Sequence, residues 1–435
     1  MNIHPRRDAA LSEAVERYIA KRPKTLELHG RAKEVMPGGN TRTVLYHPPF
    51  PVRVETAEGA RITDVDGNQY IDFLGEYSAG IYGHSHPRIK QAMAEALETG
   101  LNIGAHHHRE VAFAETVSRR FNLDLVRFCN SGTEANMMAL AAARCFTKRK
   151  KIMAFHGGYH GGTLYFTHGA SPVNAPYDVV LAPFNDCEGT RQILEKEADL
   201  AAVIIEPMQG GGGCIPAGRE FLAKLREETR NRGILLIFDE VMTSRLGPNG
   251  LSAILGIEPD LKTLGKYIGG GMSFGAFGGR RDIMIQFDPS RPDALPHAGT
   301  FNNNTLTMTV GQVAMTEVFT PEACVELNAR GDKLRNDIND LFMRYQAPMK
   351  ATGLGSMIAI HPVGGKIRSV EDADQADARL RQLLYLDLLE QGIYIADRGF
   401  IALSLMVSDE DCSKLLAAME RFVDGRKDEL SLSDA

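Results

Sequence analysis

One lysine and one carboxylate in this sequence are spaced so that they could act together in catalysis. Lys266 lies in residues 263–271, between apolar residues and a run of glycines that would let the backbone approach a flat ligand closely. Upstream, residues 234–241 form an apolar run that stops at two carboxylates, the first of which is Asp239. Such a run is typical of a buried strand that delivers a charge to the carboxyl edge of a parallel sheet. Ligands of open α/β sheets bind at that edge.

This pair of residues suits the chemistry of pyridoxal 5'-phosphate. A lysine amine can form a Schiff base with the cofactor, and an aspartate can hold the pyridine nitrogen protonated so that the ring accepts electrons. Two other uses of a Gly-Lys pair do not fit. A nucleotide-phosphate loop needs a glycine at position 260 and a serine or threonine after the lysine, where this sequence has Asp260 and Tyr267. The glycines of residues 269–279 also miss the dinucleotide spacing.

A second candidate site is the string Ser131-Gly132-Thr133-Glu134, which follows a short predicted strand at residues 125–128. It begins an alanine- and methionine-rich helix, and its serine and glutamate fit a capping box. A strand that leads through a glycine turn into a helix N-terminus can also bind phosphate, because the free N–H groups and the helix dipole both favour an anion. The residues by themselves leave both interpretations open.

Aromatic and histidine residues supply weaker signals. Tyr159 lies in the glycine-rich residues 156–162, where it could offer a flat surface to an aromatic cofactor or be an ordinary loop residue. His156 and His160 have the spacing of a zinc-binding helix, but the glycines between them disfavour a helix. The three histidines of residues 106–108 have no carboxylate or cysteine support. We therefore expect no metal site.

The composition limits the classes of function. A chain of 435 residues exceeds one hydrophobic core, so we expect two or more domains. The formal net charge of −6 argues against a protein that binds nucleic acid or an acidic membrane. No apolar run reaches the roughly 18 residues of a membrane span, and the N-terminus has no signal-peptide pattern. Six scattered cysteines without a C-x-x-C motif predict free thiols in a reducing compartment, so we expect the cytoplasm.

The elements that would position these residues alternate between strand and helix from about residue 124 to 280, which predicts a mainly parallel sheet with crossover helices. From about Cys324 the pattern changes to that of a compact α+β unit. We predict an N-terminal segment at residues 1–60, a large domain at 61–323 and a small domain at 324–435. Other predicted elements are a helix at 8–22 ended by Pro23, a β-hairpin at 61–72, a buried strand at 201–207, a helix at 218–233, and a pair of strands at 393–396 and 400–405.

Taken together, these motifs resemble the class III pyridoxal-phosphate-dependent aminotransferases of fold type I, and within them the glutamate-1-semialdehyde aminomutase branch. No single motif is decisive, but the matching strings occur in the family's order over roughly residues 35–405. The fold that the resemblance implies is α/β, with a large domain whose mainly parallel sheet is flanked by helices and a smaller α+β domain from the N- and C-terminal segments. The strings lie at residues 130–135, 158–161, 238–243, 263–266, 269–271, 277–280 and 299–301.

The resemblance also implies roles for single residues. Thr300 would reach the phosphate of a neighbouring subunit, so that a homodimer would carry its active sites at the subunit interface. The other cofactor contacts would be the covalent bond at Lys266, the pyridine nitrogen at Asp239, the phosphate at Ser131, Gly132 and Thr133, and the two ring faces at Tyr159 and Val241.

At the substrate end the sequence departs from the aminomutase pattern. The aminomutases continue after the Pro-Gly-Gly turn with Val-Asn-Ser-Pro-Val-Arg, whereas residues 40–45 here are Asn-Thr-Arg-Thr-Val-Leu, which puts the arginine, Arg42, in another frame. This variant, together with Arg398, resembles the aromatic β-amino acid aminotransferases. We therefore expect a transaminase that moves the amino group of a β-amino acid to 2-oxoglutarate or pyruvate, with Arg42 and Arg398 binding substrate carboxylates. The alternatives are a 1,2-aminomutase and a binding module that has lost catalysis.

Overall fold

The computed structural model describes residues 5–431, so the outermost parts of the two predicted terminal segments, residues 1–4 and 432–435, lie outside the described residues. The strands are β1 (Val54–Glu58), β2 (Arg61–Asp64), β3 (Gln69–Asp72), β4 (Leu125–Cys129), β5 (Lys151–Phe155), β6 (Val179–Ala182), β7 (Leu200–Ile205), β8 (Met208–Gln209), β9 (Ile215–Pro216), β10 (Leu235–Asp239), β11 (Leu261–Gly265), β12 (Gly275–Gly279), β13 (Lys350–Leu354), β14 (Met357–His361), β15 (Ile393–Tyr394) and β16 (Phe400–Ala402).

Helices connect and cover these strands. They are α1 (Pro5–Ala20), α2 (Pro23–Val35), α3 (Pro87–Leu97), α4 (His108–Phe121), α5 (Gly132–Thr147), α6 (Cys187–Lys196), α7 (Arg219–Asn231), α8 (Leu251–Leu255), α9 (Arg281–Met284), α10 (Thr305–Val313), α11 (Pro321–Arg344), α12 (Val370–Ala373), α13 (Ala378–Glu390), α14 (Asp409–Gly425) and α15 (Lys427–Ser431). Among residues 5–431, none of the helices is both long and apolar enough to cross a membrane.

The central sheet has seven strands in the order β4-β12-β11-β10-β7-β5-β6. Strand β10 pairs in parallel with both β7 and β11, and β12 is antiparallel to β11 and β4. The predicted α/β fold with a mainly parallel sheet is therefore confirmed. Because β10 and β11 run in parallel, the residues that follow Asp239 and Gly265 emerge at the same edge of the sheet.

The sheet is buried on both faces, which explains why its central strands are apolar throughout. Ile204 of β7 and Ile237 of β10 pack in the cluster that contains the alanines of α5. Their neighbours Val203 and Leu236 point to the other face and pack with Phe221, Leu222 and Leu225 of α7. The small side chains of α5 allow this helix to lie close to the sheet. Its N-terminus lies near the carboxyl edge of the strands.

The remaining strands form three smaller sheets, β1-β2-β3-β15, β13-β14-β16 and β8-β9. The predicted hairpin at residues 61–72 is present as the antiparallel pair β2 and β3. The prediction that residues 393–396 and 400–405 form a strand pair is wrong. Strand β15 instead pairs in parallel with β3, and β16 pairs with β14, because the turn at Gly399 (φ 85°) separates two strands whose partners are distant in sequence.

Pro23 does not simply end the first helix. Helix α1 stops at Ala20, and Pro23 is the first residue of α2. Proline is well tolerated at that position because its missing N–H has no partner inside the helix. The sequence signal for a helix boundary was therefore correct, but it marked the start of a second helix.

The antiparallel strand β12 depends on glycine for its close contact with the segment that leads into α5. A Cβ atom on Gly275 would overlap the carbonyl oxygen of Ser131 and lie 2.8 Å from Sγ of Cys129. A side chain here would push on backbone that cannot move without displacing the N-terminus of α5.

We therefore predict that Gly275→Ala lowers the free energy of unfolding by about 1–3 kcal/mol, the usual cost of overpacking. Gly30→Ala is the matched control, because a Cβ atom on Gly30 in α2 has nothing within 4 Å. That variant should be neutral or more stable by up to about 1 kcal/mol. Urea unfolding of both variants measures the difference, and equal stability of the two would contradict the packing argument.

Candidate active site

Asp239 lies at the end of β10 and is only 4% exposed. Its Oδ2 accepts a hydrogen bond from Nδ2 of Asn136 at 2.8 Å and lies 2.9 Å from Nδ1 of His160, while its Oδ1 accepts from the backbone N–H of Val241 at 3.0 Å. A buried carboxylate is stable only when such donors compensate for its lost hydration. The Asn136 amide is itself fixed, because its Oδ1 accepts from the Thr263 hydroxyl at 2.6 Å.

Lys266 follows β11 directly and so lies at the same sheet edge. Its backbone is in the left-handed region (φ 55°), which costs a non-glycine residue about 1–2 kcal/mol. The pKa of its amine is lowered to about 8, chiefly by burial and then by the charge of Arg42, while Asp239 and Glu76 oppose this change. The amine is therefore uncharged more often near neutral pH than an ordinary lysine, as a nucleophile requires.

The N-terminus of α5 forms the third part of the site. Oγ of Ser131 accepts from the N–H of Glu134 at 3.2 Å, which confirms the predicted cap. The Glu134 carboxylate accepts from the N–H of Asn130 at 2.8 Å, one residue earlier than in a regular capping box. Thr133 packs against Gly161, where an added Cβ atom would overlap its side chain. This helix end carries the partial positive charge that favours an anion.

Val241 lies between the helix N-terminus and the lysine strand. A Cβ atom on Gly132 would lie 2.9 Å from Cγ1 of Val241, and one on Gly265 would lie 3.2 Å from the same atom. A Cβ atom at either position would therefore press on the Val241 side chain. The structure thus brings Val241, Gly132 and the residue before Lys266 together, as the sequence motifs require.

The backbone of Tyr159 is held by a residue that the sequence analysis did not assign to the site. Its side chain is 40% exposed, and its N–H donates to Oε2 of Glu206 at 2.8 Å. The same carboxylate accepts from the N–H of Gly210 at 3.0 Å, so Glu206 joins the loop of Tyr159 to the loop after β7. Burial raises the pKa of Glu206 above its ordinary value. A strand-end carboxylate in residues 201–207 was the available signal, the same one that identified Asp239.

Arg42 and Arg398 meet at Tyr77 although they come from opposite ends of the chain. Cζ of Arg42 lies 6.0 Å from the centroid of the Tyr77 ring, and Cζ of Arg398 lies 5.2 Å from it. The Arg42 guanidinium pairs with the carboxylate of Glu76, while Arg398 donates to the carbonyl oxygen of Gly211 at 3.2 Å. The positive charges of both arginines lower the pKa of the Lys266 amine.

Thr300 is the one predicted site residue that lies apart from this cluster. It is exposed in residues 299–304, next to Phe301, whose side chain is 56% exposed. Oδ1 of Asn302 accepts from Nδ2 of Asn130 at 3.0 Å, which fastens this loop beside the N-terminus of α5. Within one chain Thr300 therefore faces outward.

The arrangement fits pyridoxal phosphate. The site offers an amine of low pKa, a buried carboxylate, a helix N-terminus for the phosphate and glycines where a flat ring needs close backbone. Nε2 of His160, on the far side of the ring that contacts Asp239, is buried without a hydrogen-bond partner among residues 5–431. The same part of the chain contains no cluster of His, Cys, Asp or Glu that could hold a metal ion.

Comparison with known proteins gives a consistent result. Residues 44–423 match the family model described as aminotransferase class-III. The chain is 48% identical to the beta-phenylalanine transaminase of Variovorax paradoxus, over 97% of this chain and 98% of that protein. The crystal structure of a beta-phenylalanine aminotransferase from Variovorax paradoxus superposes with a TM-score of 0.97 at 47% identity, covering 98% of this chain and all of the other (100%). A glutamate-1-semialdehyde 2,1-aminomutase of Brevibacillus brevis is 36% identical, over 91% of this chain and 97% of that protein.

The electrostatics of Lys266 can be tested without the cofactor. In protein prepared free of pyridoxal phosphate, competitive acylation across pH 6–11 should give Lys266 an apparent pKa of about 8. The exposed Lys333 is the internal control, because its hydrogen bond to Asp337 raises its pKa. Arg42→Ala removes a nearby positive charge and should raise the pKa of Lys266 toward about 10.4, the value of a free lysine. An unchanged value in that variant would mean that Arg42 is not close to the amine.

Proposed function

Since this chain belongs to the class-III aminotransferases, we propose that it transfers the amino group of an aromatic β-amino acid to a 2-oxo acid, either 2-oxoglutarate or pyruvate. The observation that carries the proposal is the placement of two guanidinium groups, those of Arg42 and Arg398, against one tyrosine ring beside the Lys266 amine. Class-III aminotransferases use pyridoxal 5'-phosphate. The similarity to a protein named beta-phenylalanine transaminase supports the choice of donor.

Bound pyridoxal phosphate supplies an electron sink that stabilises negative charge on the amine-bearing carbon of the substrate. Lys266 would hold the cofactor through its amine, and a substrate amine would take its place. The freed Nζ then takes the proton from the amine-bearing carbon and later returns a proton, because its low pKa lets it act as a base near neutral pH. Asp239 keeps a positive N–H on the pyridine ring, since its carboxylate still has acceptor capacity beyond its three donors.

We assign the remaining cofactor contacts to residues at the same edge of the sheet. Ser131, Gly132 and Thr133 at the N-terminus of α5 hold the phosphate with backbone N–H groups and the helix dipole. Tyr159 and Val241 cover the two faces of the ring. Support for these roles comes from the glycine contacts around Val241 and from the Glu206 carboxylate that fixes the backbone of Tyr159.

Arg42 and Arg398 bind carboxylates in turn. Donor and acceptor use the same site one after the other, and each brings at least one carboxylate. A planar guanidinium can bind a carboxylate through two parallel hydrogen bonds, which a lysine cannot imitate. We assign the donor carboxylate mainly to Arg42, and we assign the acceptor mainly to Arg398, which forms no ion pair with any carboxylate of residues 5–431.

We also propose that the enzyme is a cytoplasmic homodimer in which Thr300 reaches the cofactor phosphate of the partner subunit. His107, whose Nε2 lies 2.7 Å from the carbonyl oxygen of Asn303, links the Thr300 loop to a neighbouring surface rich in apolar side chains. Exposed apolar side chains at a rigid surface are typical of a subunit interface. The six cysteines are all free, which suits a reducing compartment. The exposed side chains are Leu97, Leu101, Ile103, Val111 and Phe301.

Omission of the amino acceptor tests the reaction type. With β-phenylalanine alone, we expect about one equivalent of product per active site, because no acceptor is present to take up the donor's amino group. Addition of 2-oxoglutarate or pyruvate should restore continuous turnover, and Lys266→Ala should abolish both reactions. Sustained turnover of glutamate-1-semialdehyde without acceptor would instead support the aminomutase. Product quantification by chromatography measures each outcome.

Two arginine variants test the carboxylate assignments. Arg42→Ala should raise KM for β-phenylalanine by about 10- to 100-fold, because a charge-assisted pair is lost. An arylalkylamine donor that lacks a carboxylate should change by less than about threefold. Arg398→Ala should weaken 2-oxoglutarate more than the donor, and the exposed Arg344→Ala should affect neither. Unchanged half-reaction constants in both site variants would refute the proposed donor class.

A further inference from the structure

The segment that carries Glu76 has an unusual backbone. Residues Gly75–Ser78, shortly after β3, all have positive φ values, 54°, 49°, 50° and 76° in order. Three of these four are not glycine, and such residues avoid the left-handed region unless the surroundings impose it. Strained backbone of this kind is concentrated at functional sites.

Contacts from three directions impose this conformation. Oδ1 of Asp72 accepts from the N–H groups of Leu74 at 2.8 Å and Gly75 at 3.1 Å. The hydroxyl of Tyr77 donates to the carbonyl oxygen of Val44 at 2.8 Å, which joins the segment to the turn of Arg42. The buried guanidinium of Arg245 donates to the carbonyl oxygen of Ser78 at 3.2 Å. The backbone is therefore fixed, and it directs the Glu76 side chain toward the site.

Glu76 uses that position to neutralise Arg42. The carboxylate and the guanidinium form an ion pair, and their side chains are 54% and 41% exposed, so a ligand can reach both. The Glu76 charge also acts on the Lys266 amine, whose pKa it raises while Arg42 lowers it. The pair therefore lies within electrostatic reach of the reacting amine.

The two site arginines differ in this respect. Arg42 already has a carboxylate, whereas Arg398 donates to the backbone carbonyl oxygen of Gly211, lies over the Tyr77 ring and forms no ion pair within residues 5–431. A substrate carboxylate can thus approach Arg398 directly. At Arg42 the substrate carboxylate must compete with Glu76. Once the substrate carboxylate has displaced the Glu76 side chain, it lies beside the negative charge of that side chain.

We propose that Glu76 is a specificity-determining residue, an internal carboxylate that competes with the substrate carboxylate for Arg42. This inference rests on the proposed role of Arg42 in binding the donor. Glu76 sets the affinity for a monocarboxylate donor by occupying Arg42 until the donor arrives. It also disfavours donors with a second acidic group near this position, since like charges would then be placed together.

Binding of 3-phenylpropanoate to the cofactor-loaded enzyme tests the competition directly, because this ligand has the carboxylate and the aromatic ring but no amine. Glu76→Gln keeps the shape of the side chain and removes its charge, so the dissociation constant should fall by about two- to fivefold, the range expected for an exposed ion pair. Glu55→Gln, which removes an exposed carboxylate from β1, should leave it unchanged. Calorimetric titration of each variant gives these constants.

Steady-state kinetics add a readout that a merely structural role would not produce. In Glu76→Gln, KM for β-phenylalanine should fall by the same factor, while the KM of an arylalkylamine, which has no carboxylate to compete for Arg42, should stay within about twofold of the parent value. In the double variant Arg42→Ala with Glu76→Gln, the gain should disappear, because Glu76 acts through Arg42. Thermal melting of each variant confirms that the fold is retained.

The outcomes separate this inference from the proposed function. If Arg42→Ala weakens 3-phenylpropanoate but Glu76→Gln leaves its affinity unchanged or lower, the competition is refuted and the role of Arg42 stands. If neither variant changes the affinity, Arg42 does not bind the donor carboxylate and the proposed function fails with it. Tighter binding in Glu76→Gln that persists after Arg42→Ala would also refute the competition.

Discussion

The buried carboxylate of Asp239 is the constraint on which the rest of the site depends. A carboxylate at the end of a fully covered strand needs donors, and its three donors come from three different parts of the chain. Asn136 belongs to α5, His160 to the glycine-rich loop after β5, and Val241 to the turn after β10 itself. The hydrogen bonds that compensate this one buried charge therefore fix the helix N-terminus and both residues proposed to cover the cofactor ring.

The Lys266 amine is governed by a balance of opposed effects around this fixed centre. Burial and two arginines favour the uncharged amine, whereas Asp239 and Glu76 favour the ammonium ion. The same arginines that lower the pKa are the groups proposed to bind substrate carboxylates. A bound carboxylate would partly cancel their charge, so substrate binding and the protonation state of the amine are physically coupled.

Much of the fold could be predicted from patterns within single segments, because continuous apolar runs, the Asp66-Gly67 turn and the Ser131 cap each have a local physical cause. Strand β12 was not predicted, since its glycines show no alternation and its pairing partners β11 and β4 come from separate parts of the chain. The partners of β15 and β16 could not be predicted either, because they lie far away in the sequence. For the site, strand-end carboxylates and glycine turns predicted which segments meet. Glu76 gave no signal, since its importance arises from a backbone conformation that distant contacts impose.

The two ends of the site differ in how firmly they are held, and this difference suits their tasks. At the cofactor end Asp239, Asn136 and Thr263 are buried and joined by hydrogen bonds, so moving one of them would leave another without a partner, at a cost of about 1–3 kcal/mol. At the substrate end Arg42 and Glu76 are exposed, and an exposed ion pair is worth only about 0–1 kcal/mol. An incoming carboxylate can therefore rearrange the substrate end without moving the groups that hold Asp239. Rigid backbone at Gly75–Ser78 makes this exchange specific, because it leaves only the side chains free to move.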